Sequence, residues 1–370
     1  MVSIFKLLLL VFLIVVTGYT AFKYIEILRI KNKKVKRGLY TFLYFFQFMF
    51  ILRFFLVPRL TTHGWPVLFI LWSTSVFFMF IILSFIFFAF VSIYNIIQKR
   101  MIRKWYVPRR DIIMLLMVFS IIIGTYSTIH ARVITTQSYY VHVQKESIHS
   151  ELRIAYISDL HLGNSVDIKK LKKIVDDVNN AEPDLVLFGG DIFDELTNDY
   201  HLKKSVDVFK QLTPTYGSYY VFGNHEEHRS NLGIYYDALE AAGITPIVDD
   251  VMVVADDIQL IGRDDYTKHK DRPSLKSLAK KLDQSKPIIV LDHQPIIDDY
   301  RDIDLQLSGH THDGQIFPYN LLVAIQFPHS YGYFKEPYQM ITSSGAGTWG
   351  VPARLGSDSE IVIINMIMDR

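Results

Sequence analysis

The sequence has no cysteine, and that absence excludes several kinds of chemistry. A chain without thiols forms no disulfide, builds no cysteine-ligated zinc site and offers no thiol nucleophile. The net charge is also small, because the sequence has 39 basic and 37 acidic residues, which gives +2 at pH 7. We therefore predict no nucleic-acid partner. Internal repeats and low-complexity linkers are lacking too, so function has to be sought in residue patterns within ordinary segments.

Long apolar runs are abundant, but only in the first third of the chain. Hydrophobic residues make up 50% of the sequence, and the excess lies almost wholly before about residue 130. Each run is near the ~20 residues that a helix needs to cross a bilayer, and none has a charged face. Few ionisable residues interrupt the runs, which favours an anchor over a transport path. We predict a transmembrane region, residues 1–130, with four helices at about 4–22, 39–56, 67–91 and 112–129.

The basic residues between these runs predict the orientation of the chain in the membrane. Positively charged loops stay in the cytoplasm, which places the N-terminus and everything after residue 130 outside. We therefore predict a multi-pass protein of the cell (inner) membrane with residues 131–370 on the extracytoplasmic side. A cleaved signal is the alternative for the first run, but no small-x-small site follows it. The two basic loops carry Lys23, Arg29, Lys31, Lys33, Lys34, Lys36 and Arg37, and Lys99, Arg100, Arg103, Lys104, Arg109 and Arg110.

The second part of the chain, residues 131–370, has the residue pattern of a globular domain. From Glu151 onward, short aliphatic runs alternate with amphipathic stretches, such as a strand at 152–158 and a helix at 168–179. Strands and helices alternate early and strands dominate late, which predicts an α/β sandwich with mixed sheets. The aromatic residues between 331 and 338 are interpreted as a surface loop.

Five groups of His, Asp and Asn side chains each follow a predicted strand. Strand ends are where α/β folds place ligands. Residues two apart in an extended segment face the same way, so Asp159 and His161 are predicted to bind one ion together. One histidine after a strand is usually a surface residue, but five groups in one domain indicate a site. The groups are Asp159 with His161, Gly190 with Asp191, Asn224 with His225, Asp292 with His293, and His310 with His312.

The mixture of carboxylate, imidazole and amide oxygen ligands suits borderline cations. Manganese, iron and zinc are the candidates, and two such divalent ions would need a shared ligand. Asp191, which follows two glycines, is the natural bridge because glycine lets the backbone approach closely. We expect Asp194 and Glu226 to support ligand histidines, and Asp292 to orient a ligand or cap a helix.

The motif series resembles the calcineurin-like metallophosphoesterase family. Asp-x-His, Gly-Asp, Gly-Asn-His-Glu, His and Gly-His-x-His occur in that order across residues 150–315, and the segments 309–315 and 343–349 resemble its bacterial membrane-associated branch. The resemblance implies an αββα sandwich after the four-helix transmembrane region. It also implies His225 as the acid near the leaving group. One ion would bind Asp159, His161, Asp191 and His312, and the other Asp191, Asn224, His293 and His310.

The function expected from this resemblance is hydrolysis of phosphate esters by a metal-activated hydroxide. A domain just outside a bilayer meets phosphodiesters and lipid-linked phosphates first, so these are the candidate substrates, with the lipid bilayer itself as a partner. One alternative is a pyrophosphatase of nucleotide-linked lipid precursors, which requires a cytoplasmic active site. Another is a non-catalytic membrane sensor or scaffold with an esterase fold, which would be expected to have lost ligands.

Overall fold

The computed structural model describes residues 4–27, 29–60, 64–98, 109–163, 165–194, 197–226, 232–267 and 269–369. The chain divides into two compact units, Met1–Ile129 and His130–Arg370. The boundary predicted from the sequence falls one residue later, between 130 and 131. The two units are described separately.

The described part of unit 1 is helical throughout its apolar runs. Among the described residues, Trp65–Tyr94 and Ile112–His130 are long and apolar enough to cross a membrane. The four-span arrangement stays a prediction. Residues 99–108, which contain much of the second basic loop, lie outside the described residues. The helices are α1 (Ile4–Ile27), α2 (Lys33–Leu56), α3 (Trp65–Gln98) and α4 (Arg109–His130).

Unit 2 is a mixed α/β domain built on two six-stranded sheets. Its strands are β1 (Ile134–Glu146), β2 (Glu151–Ile157), β3 (Leu185–Phe188), β4 (Ser218–Tyr220), β5 (Ile244–Pro246), β6 (Asp250–Val254), β7 (Ile258–Gly262), β8 (Ile288–Leu291), β9 (Leu305–Ser308), β10 (Gly332–Phe334), β11 (Met340–Thr342) and β12 (Ser359–Asp369). Its helices are α5 (Ile168–Asn180), α6 (Asp199–Phe209), α7 (Gly233–Ala241), α8 (Leu275–Ala279) and α9 (Tyr319–Gln326).

The strand order makes both sheets mixed, as predicted. The first sheet runs β1-β12-β2-β3-β4-β5 and the second β10-β11-β9-β8-β7-β6. Strands β2, β3, β4 and β5 are parallel neighbours, and so are β7, β8 and β9. Strand β12 is antiparallel to β2, and β6 is antiparallel to β7. The parallel strands at the centre of each sheet therefore end on a common edge.

The alternation of side chains along β2 explains the layers. Ala155 and Ile157 pack with the apolar face of α5, whereas Ile154 and Tyr156 pack with the second sheet. Successive strand residues point to opposite faces, so a sheet buried on both faces reads as a continuous apolar run. A third cluster joins α8 to the outer face of the second sheet. The layers are therefore helix, sheet, sheet and helix.

Two elements were not predicted, and one interpretation was wrong. Strand β1 is polar and lies at a sheet edge, paired only with β12 among the described strands, so its sequence lacks a buried pattern. Helix α9 has a single buried residue and no amphipathic signature. The aromatic segment interpreted as a loop contains β10, which pairs with β11. Tyr338 at its end is buried and donates a hydrogen bond to Gln306 Oε1 at 2.7 Å.

Candidate metal centre

The predicted site residues lie where the parallel strands end. Asp159 and His161 follow β2, and Asp191 follows β3. Asn224 and His225 come four and five residues after the end of β4, and His293 follows β8. His310 and His312 follow β9. All eight residues therefore lie at the carboxyl ends of parallel strands, the edge at which open α/β sheets bind ligands.

The backbone at five of these eight positions is in the left-handed region rather than extended. The φ angles of Asp159, His161 and Asp191 are 52°, 46° and 52°, and those of His310 and His312 are 69° and 51°. The extended geometry predicted for Asp159 and His161 is wrong, because the chain turns as soon as β2 ends. Such φ angles are rare for residues other than glycine and cost about 1–3 kcal/mol each. Five of them in one cluster indicate a backbone held for a function.

The first cluster joins Asp159, His161 and His312. Ligand atoms of the three side chains lie within 4.8 Å of one another. His161 Nε2 and His312 Nε2 are 3.1 Å apart, and His312 Nε2 is 3.5 Å from Asp159 Oδ1. Two ring nitrogens that face each other at this distance require a proton or a cation between them.

The second cluster joins Asp191, His293 and His310. His293 Nε2 is 3.3 Å from His310 Nδ1 and 3.2 Å from Asp191 Oδ2. The same Asp191 Oδ2 lies 3.9 Å from His161 Nε2, in the first cluster. Asp191 Oδ1 instead accepts a hydrogen bond from the backbone N–H of His225 at 2.8 Å. One carboxylate oxygen thus faces both clusters while the other fixes the side chain.

Asn224 supplies an independent sign that a cation fits here. Its side-chain Oδ1 is buried and has no hydrogen-bond partner among the described residues. Buried polar atoms are almost always paired, and a cation bound beside Asp191 would pair this amide oxygen. The donor set of carboxylate, imidazole and amide oxygen suits divalent ions of the first transition series. The residues present therefore fit a divalent metal pair.

Neighbouring groups orient the imidazoles. His293 Nδ1 lies 2.7 Å from the carbonyl oxygen of Gly189 and donates to it, which turns Nε2 towards Asp191 and His310. Asp194 Oδ2 lies 3.3 Å from His161 Nδ1, which is the supporting position expected from the sequence. Metals bind neutral imidazole, and burial and then the charge of His161 lower the pKa of His312 well below its ordinary value, which fits a ligand role. At His293, burial is outweighed by the charge of Asp191, which raises the pKa well above its ordinary value.

Glu226 does not support a histidine, contrary to expectation. Its carboxylate accepts hydrogen bonds from the backbone N–H groups of Asp191, Phe193 and Gly223 at 3.0, 2.9 and 2.9 Å. It also accepts one from Tyr220 Oη. Burial, followed by the charge of Asp191, raises the pKa of Glu226 to about 7. Glu226 thus ties the loop after β3 to the loop after β4, a role that the sequence does not display.

Asp292 neither orients a ligand nor caps a helix. Arg272 donates hydrogen bonds to its Oδ1 at 3.0 Å and its Oδ2 at 2.5 Å, and Arg263 Nη1 lies 3.4 Å from Oδ2. The side chains of Asp292 and both arginines are almost fully buried. The group is a buried ion network beneath His293, and Asp292 was misinterpreted because its partners come from a distant loop.

Sequence reasoning missed Arg354, whose guanidinium is completely buried beside the site. It donates to the carbonyl oxygens of His312 at 3.1 Å, Gly347 at 2.8 Å and Gly345 at 3.1 Å. Burial lowers its pKa to about 10. Arg354 therefore fastens the loop after β9 to the segment before β12. No motif around residue 354 signals this role.

Two glycines permit the close approach of the loops. A Cβ on Gly309 would stand 2.2 Å from Asp159 Oδ2, and one on Gly190 would stand 2.6 Å from the backbone N of Gly223. Gly190 also has a φ of +89°, which glycine adopts without strain. Both positions exclude any side chain, so the glycines of the motifs serve the packing of the ligand loops.

Replacing Asp194 by alanine tests the supporting role. The variant leaves His161 Nδ1 without its carboxylate, and loss of such a partner weakens metal affinity about 10–100-fold. We expect that decrease in a calorimetric titration of the full-length protein with Mn²⁺. Asp176→Ala, which removes an exposed carboxylate from α5, is the control and should bind as the wild type does. Unchanged affinity in Asp194→Ala would contradict the role.

Comparison with known proteins agrees with the geometry. Residues 152–314 match the model of the calcineurin-like phosphoesterase family. An uncharacterized metallophosphoesterase of Helicobacter pylori J99 is 36% identical over 242 residues, 60% of this chain and 61% of that protein. One from Campylobacter jejuni is 34% identical over 250 residues, 65% of this chain and 66% of that protein. A transmembrane protein with metallophosphoesterase domain from Danio rerio is 32% identical over 231 residues, 58% of this chain and 52% of that protein.

These alignments leave part of every protein unmatched. The chain spans about six tenths of the length of the two bacterial relatives and about half of the zebrafish protein. The similarity to these three relatives therefore covers about three fifths of the chain and does not extend over whole proteins.

Proposed function

We propose that the chain carries a calcineurin-like metallophosphoesterase domain and is a membrane-attached hydrolase of phosphate esters with two divalent metal ions, because residues 152–314 match that family's model and relatives described as metallophosphoesterases align with the chain. The observation that carries the proposal is the position of Asp191 Oδ2, which lies 3.2 Å from His293 Nε2 and 3.9 Å from His161 Nε2. A single carboxylate oxygen placed between two histidine clusters is suited to bridge two cations.

The proposed ligand sets follow the two clusters. Asp159, His161, Asp191 and His312 would hold one ion, and the Nε2 atoms of His161 and His312 approach to 3.1 Å. Asp191, Asn224, His293 and His310 would hold the other. The unpaired Oδ1 of Asn224 and the 3.3 Å approach of His293 Nε2 to His310 Nδ1 support this second set. Manganese, iron and zinc all suit these ligands.

The proposed mechanism divides the work between the ions and the protein. When bound, such an ion pair supplies a nucleophilic hydroxide at neutral pH and neutralises charge on the phosphoryl oxygens. Asp191 holds the site together, with its Oδ1 fixed by the backbone of His225. The His225 ring lies 4.9 Å from the His161 ring, between centroids, and is mostly buried. A ring nitrogen of His225 can therefore carry a proton to the leaving oxygen at this site.

Replacing His225 by alanine tests the acid role. General acids contribute about 10²–10⁴-fold to rate, and most where the leaving group is a strong base. We expect turnover of alkyl phosphate esters to fall in that range while the metal content stays at the wild-type level. Nitrophenyl esters, whose leaving group needs no proton, should lose least. An equal loss across all leaving groups would argue against the acid.

Membrane attachment rests on the apolar helices and on the relatives. Trp65–Tyr94 and Ile112–His130 have the length and composition of membrane spans. Proteins from zebrafish and cattle that match 58% and 65% of the chain carry the description "transmembrane protein with metallophosphoesterase domain". Four spans, an inner-membrane location and an extracytoplasmic domain are proposed from the basic loops. A topology reporter fused after the last residue tests the sidedness, and a cytoplasmic signal would contradict it.

Substrates are proposed to be phosphodiesters or lipid-linked phosphates. Hydrolysis by the full-length protein should require Mn²⁺ or a similar ion and stop with chelator. Activity on bis(p-nitrophenyl) phosphate that exceeds activity on the monoester would support a diesterase. No hydrolysis of any phosphate ester by the metal-loaded protein would contradict the proposed function.

A further inference from the structure

Helix α9 exposes its apolar side chains instead of burying them. Only Val323 of the helix is buried. A surface helix normally turns its apolar stripe towards the core, and contiguous exposed apolar residues mark an interaction site. No charged residue occurs between 316 and 327. We call the exposed set the docking face: Phe317 (50% exposed), Tyr319 (55%), Leu321 (56%), Leu322 (61%) and Ile325 (79%).

The docking face begins near the point where the chain enters unit 2. The backbone N–H of Phe317 donates to the carbonyl of Leu355 at 2.7 Å. Three residues later, Asp358 Oδ1 lies 2.8 Å from His130 Nε2. Three residues span at most about 10 Å of extended chain, so Phe317 and His130 lie on the same part of unit 2.

His130 is also the last residue of the apolar helix Ile112–His130. If that helix crosses a membrane, His130 lies at the membrane surface. Strand β1 begins only four residues later, at Ile134. The connection is too short to carry the start of the domain away from the bilayer surface. The occupant of the docking face is therefore expected to be the phospholipid surface that the chain has just left.

The docking face continues to the metal centre. The ring of Phe327, which follows α9, lies 5.6 Å from the His310 ring between centroids. On the other side of the site, Trp349 is half exposed, and its ring lies 5.8 Å from that of His225. Tyrosine and tryptophan are the residues most enriched at membrane–water interfaces. Exposed aromatic and aliphatic side chains thus border the proposed catalytic residues.

We propose that the docking face inserts into the phospholipid surface and holds the metal centre at the depth of the headgroups. Short apolar helices that lie in the interface bury their apolar side about 5–10 Å into it. The substrate class that follows is a phosphate ester anchored in the same bilayer by an apolar tail. This inference rests on the proposed membrane attachment and phosphoesterase function.

The absence of cysteine makes a direct test of insertion simple. Ile325→Cys is labelled with an environment-sensitive nitrobenzoxadiazole dye, and the full-length protein is reconstituted into phosphatidylcholine–phosphatidylglycerol vesicles. Lipids with a spin label near the headgroup should quench this dye several-fold more than a dye at Lys281→Cys. Lys281 is exposed and lies 3.7 Å from Asp250 of β6, at the sheet edge opposite β10. Equal quenching at the two positions would overturn the proposal.

A second copy of the chain is the rival occupant, and the same variant distinguishes it. If copies pair through the docking face, unlabelled Ile325→Cys chains should form disulfide-linked dimers in high yield, and lipid quenching should be absent. That combination would also overturn the proposal. Strong quenching without efficient dimer formation would support it.

Activity provides a readout that separates docking from catalysis. Leu322→Asp combined with Ile325→Asp should reduce hydrolysis of a vesicle-embedded phosphodiester at least 10-fold relative to hydrolysis of soluble bis(p-nitrophenyl) phosphate. An equal fall on both substrates would contradict docking. If the wild-type protein hydrolysed neither ester, the proposed function would fail, whereas the quenching result would still decide insertion.

Discussion

Asp191→Ala is expected to lose both metal ions together and to hydrolyse phosphate esters more than about 10³-fold more slowly, a loss of about 4 kcal/mol of transition-state stabilisation. The reason is geometric, because Asp191 Oδ2 is the atom that faces both histidine clusters, 3.2 Å from His293 Nε2 and 3.9 Å from His161 Nε2. Removal of any other proposed ligand leaves one cluster complete. The measurement is metal content per chain by mass spectrometry, with turnover on the same samples.

Two further variants make this result interpretable. Asp191→Asn keeps an oxygen that can accept the backbone N–H of His225, so it preserves that contact while removing the charge. We expect it to lose metal as well, which assigns the effect to the cation site rather than to misfolding. Asp207→Ala, on the exposed face of α6, should keep both ions. Full occupancy of both sites in Asp191→Ala would contradict the bridging role.

Asp292→Ala should cause the largest loss of stability. The variant removes the carboxylate that receives Arg272 at 3.0 and 2.5 Å and leaves two arginines buried without it. Breaking a buried ion pair in this way costs about 3–5 kcal/mol. For a domain of this size, that corresponds to a fall in Tm on the order of 10 °C. Thermal unfolding of the full-length protein in detergent measures the shift.

The control for Asp292 lies in the same network. Asp298 also contacts Arg263, at 3.2 Å, but its side chain is partly exposed. Asp298→Ala should therefore cost clearly less than Asp292→Ala, because its carboxylate is partly hydrated and Arg263 keeps Asp292 as a partner. A second variant, Asp292→Asn, keeps hydrogen-bond acceptance and should fall between the two. A loss in Asp292→Ala no larger than in Asp298→Ala would contradict the buried network.

The convergence of the candidate side chains could be predicted from the sequence because their motifs follow predicted strands, whereas their roles as ligands stay a prediction. An apolar run such as Ile288–Leu291 predicts its own strand, and the parallel pairing of β8 with β9 brings His293 to His310. The supporting contact of Asp194 with His161 followed from the same spacing.

The conformation of the ligand loops could not be predicted in the same way. Asp159 and His161 both have positive φ because backbone N–H groups of this loop donate to the carbonyls of Gly190 and Asp191. Those partners are more than twenty residues away in sequence. Local periodicity carries no information about them, so the extended geometry was the wrong inference.

Buried polar groups were the least predictable feature. Glu226 and Arg354 act on backbone groups of distant loops. The motif marks Glu226 as a site residue but not its backbone partners, and no motif marks Arg354. Asp292 pairs with Arg272 from another loop, so its role could not be predicted from its local sequence either. Polar strand β1 and helix α9 were missed for a related reason, since neither buries a regular apolar face.

Anomalous diffraction from crystals of the full-length protein grown with Mn²⁺ would show whether Asp191 joins two metal ions. We expect two peaks about 3.5–4 Å apart, with the Asp191 carboxylate in contact with both. His161 and His312 should flank one peak, and His293 and His310 the other. A single peak, or a pair of peaks that Asp191 does not join, would contradict it.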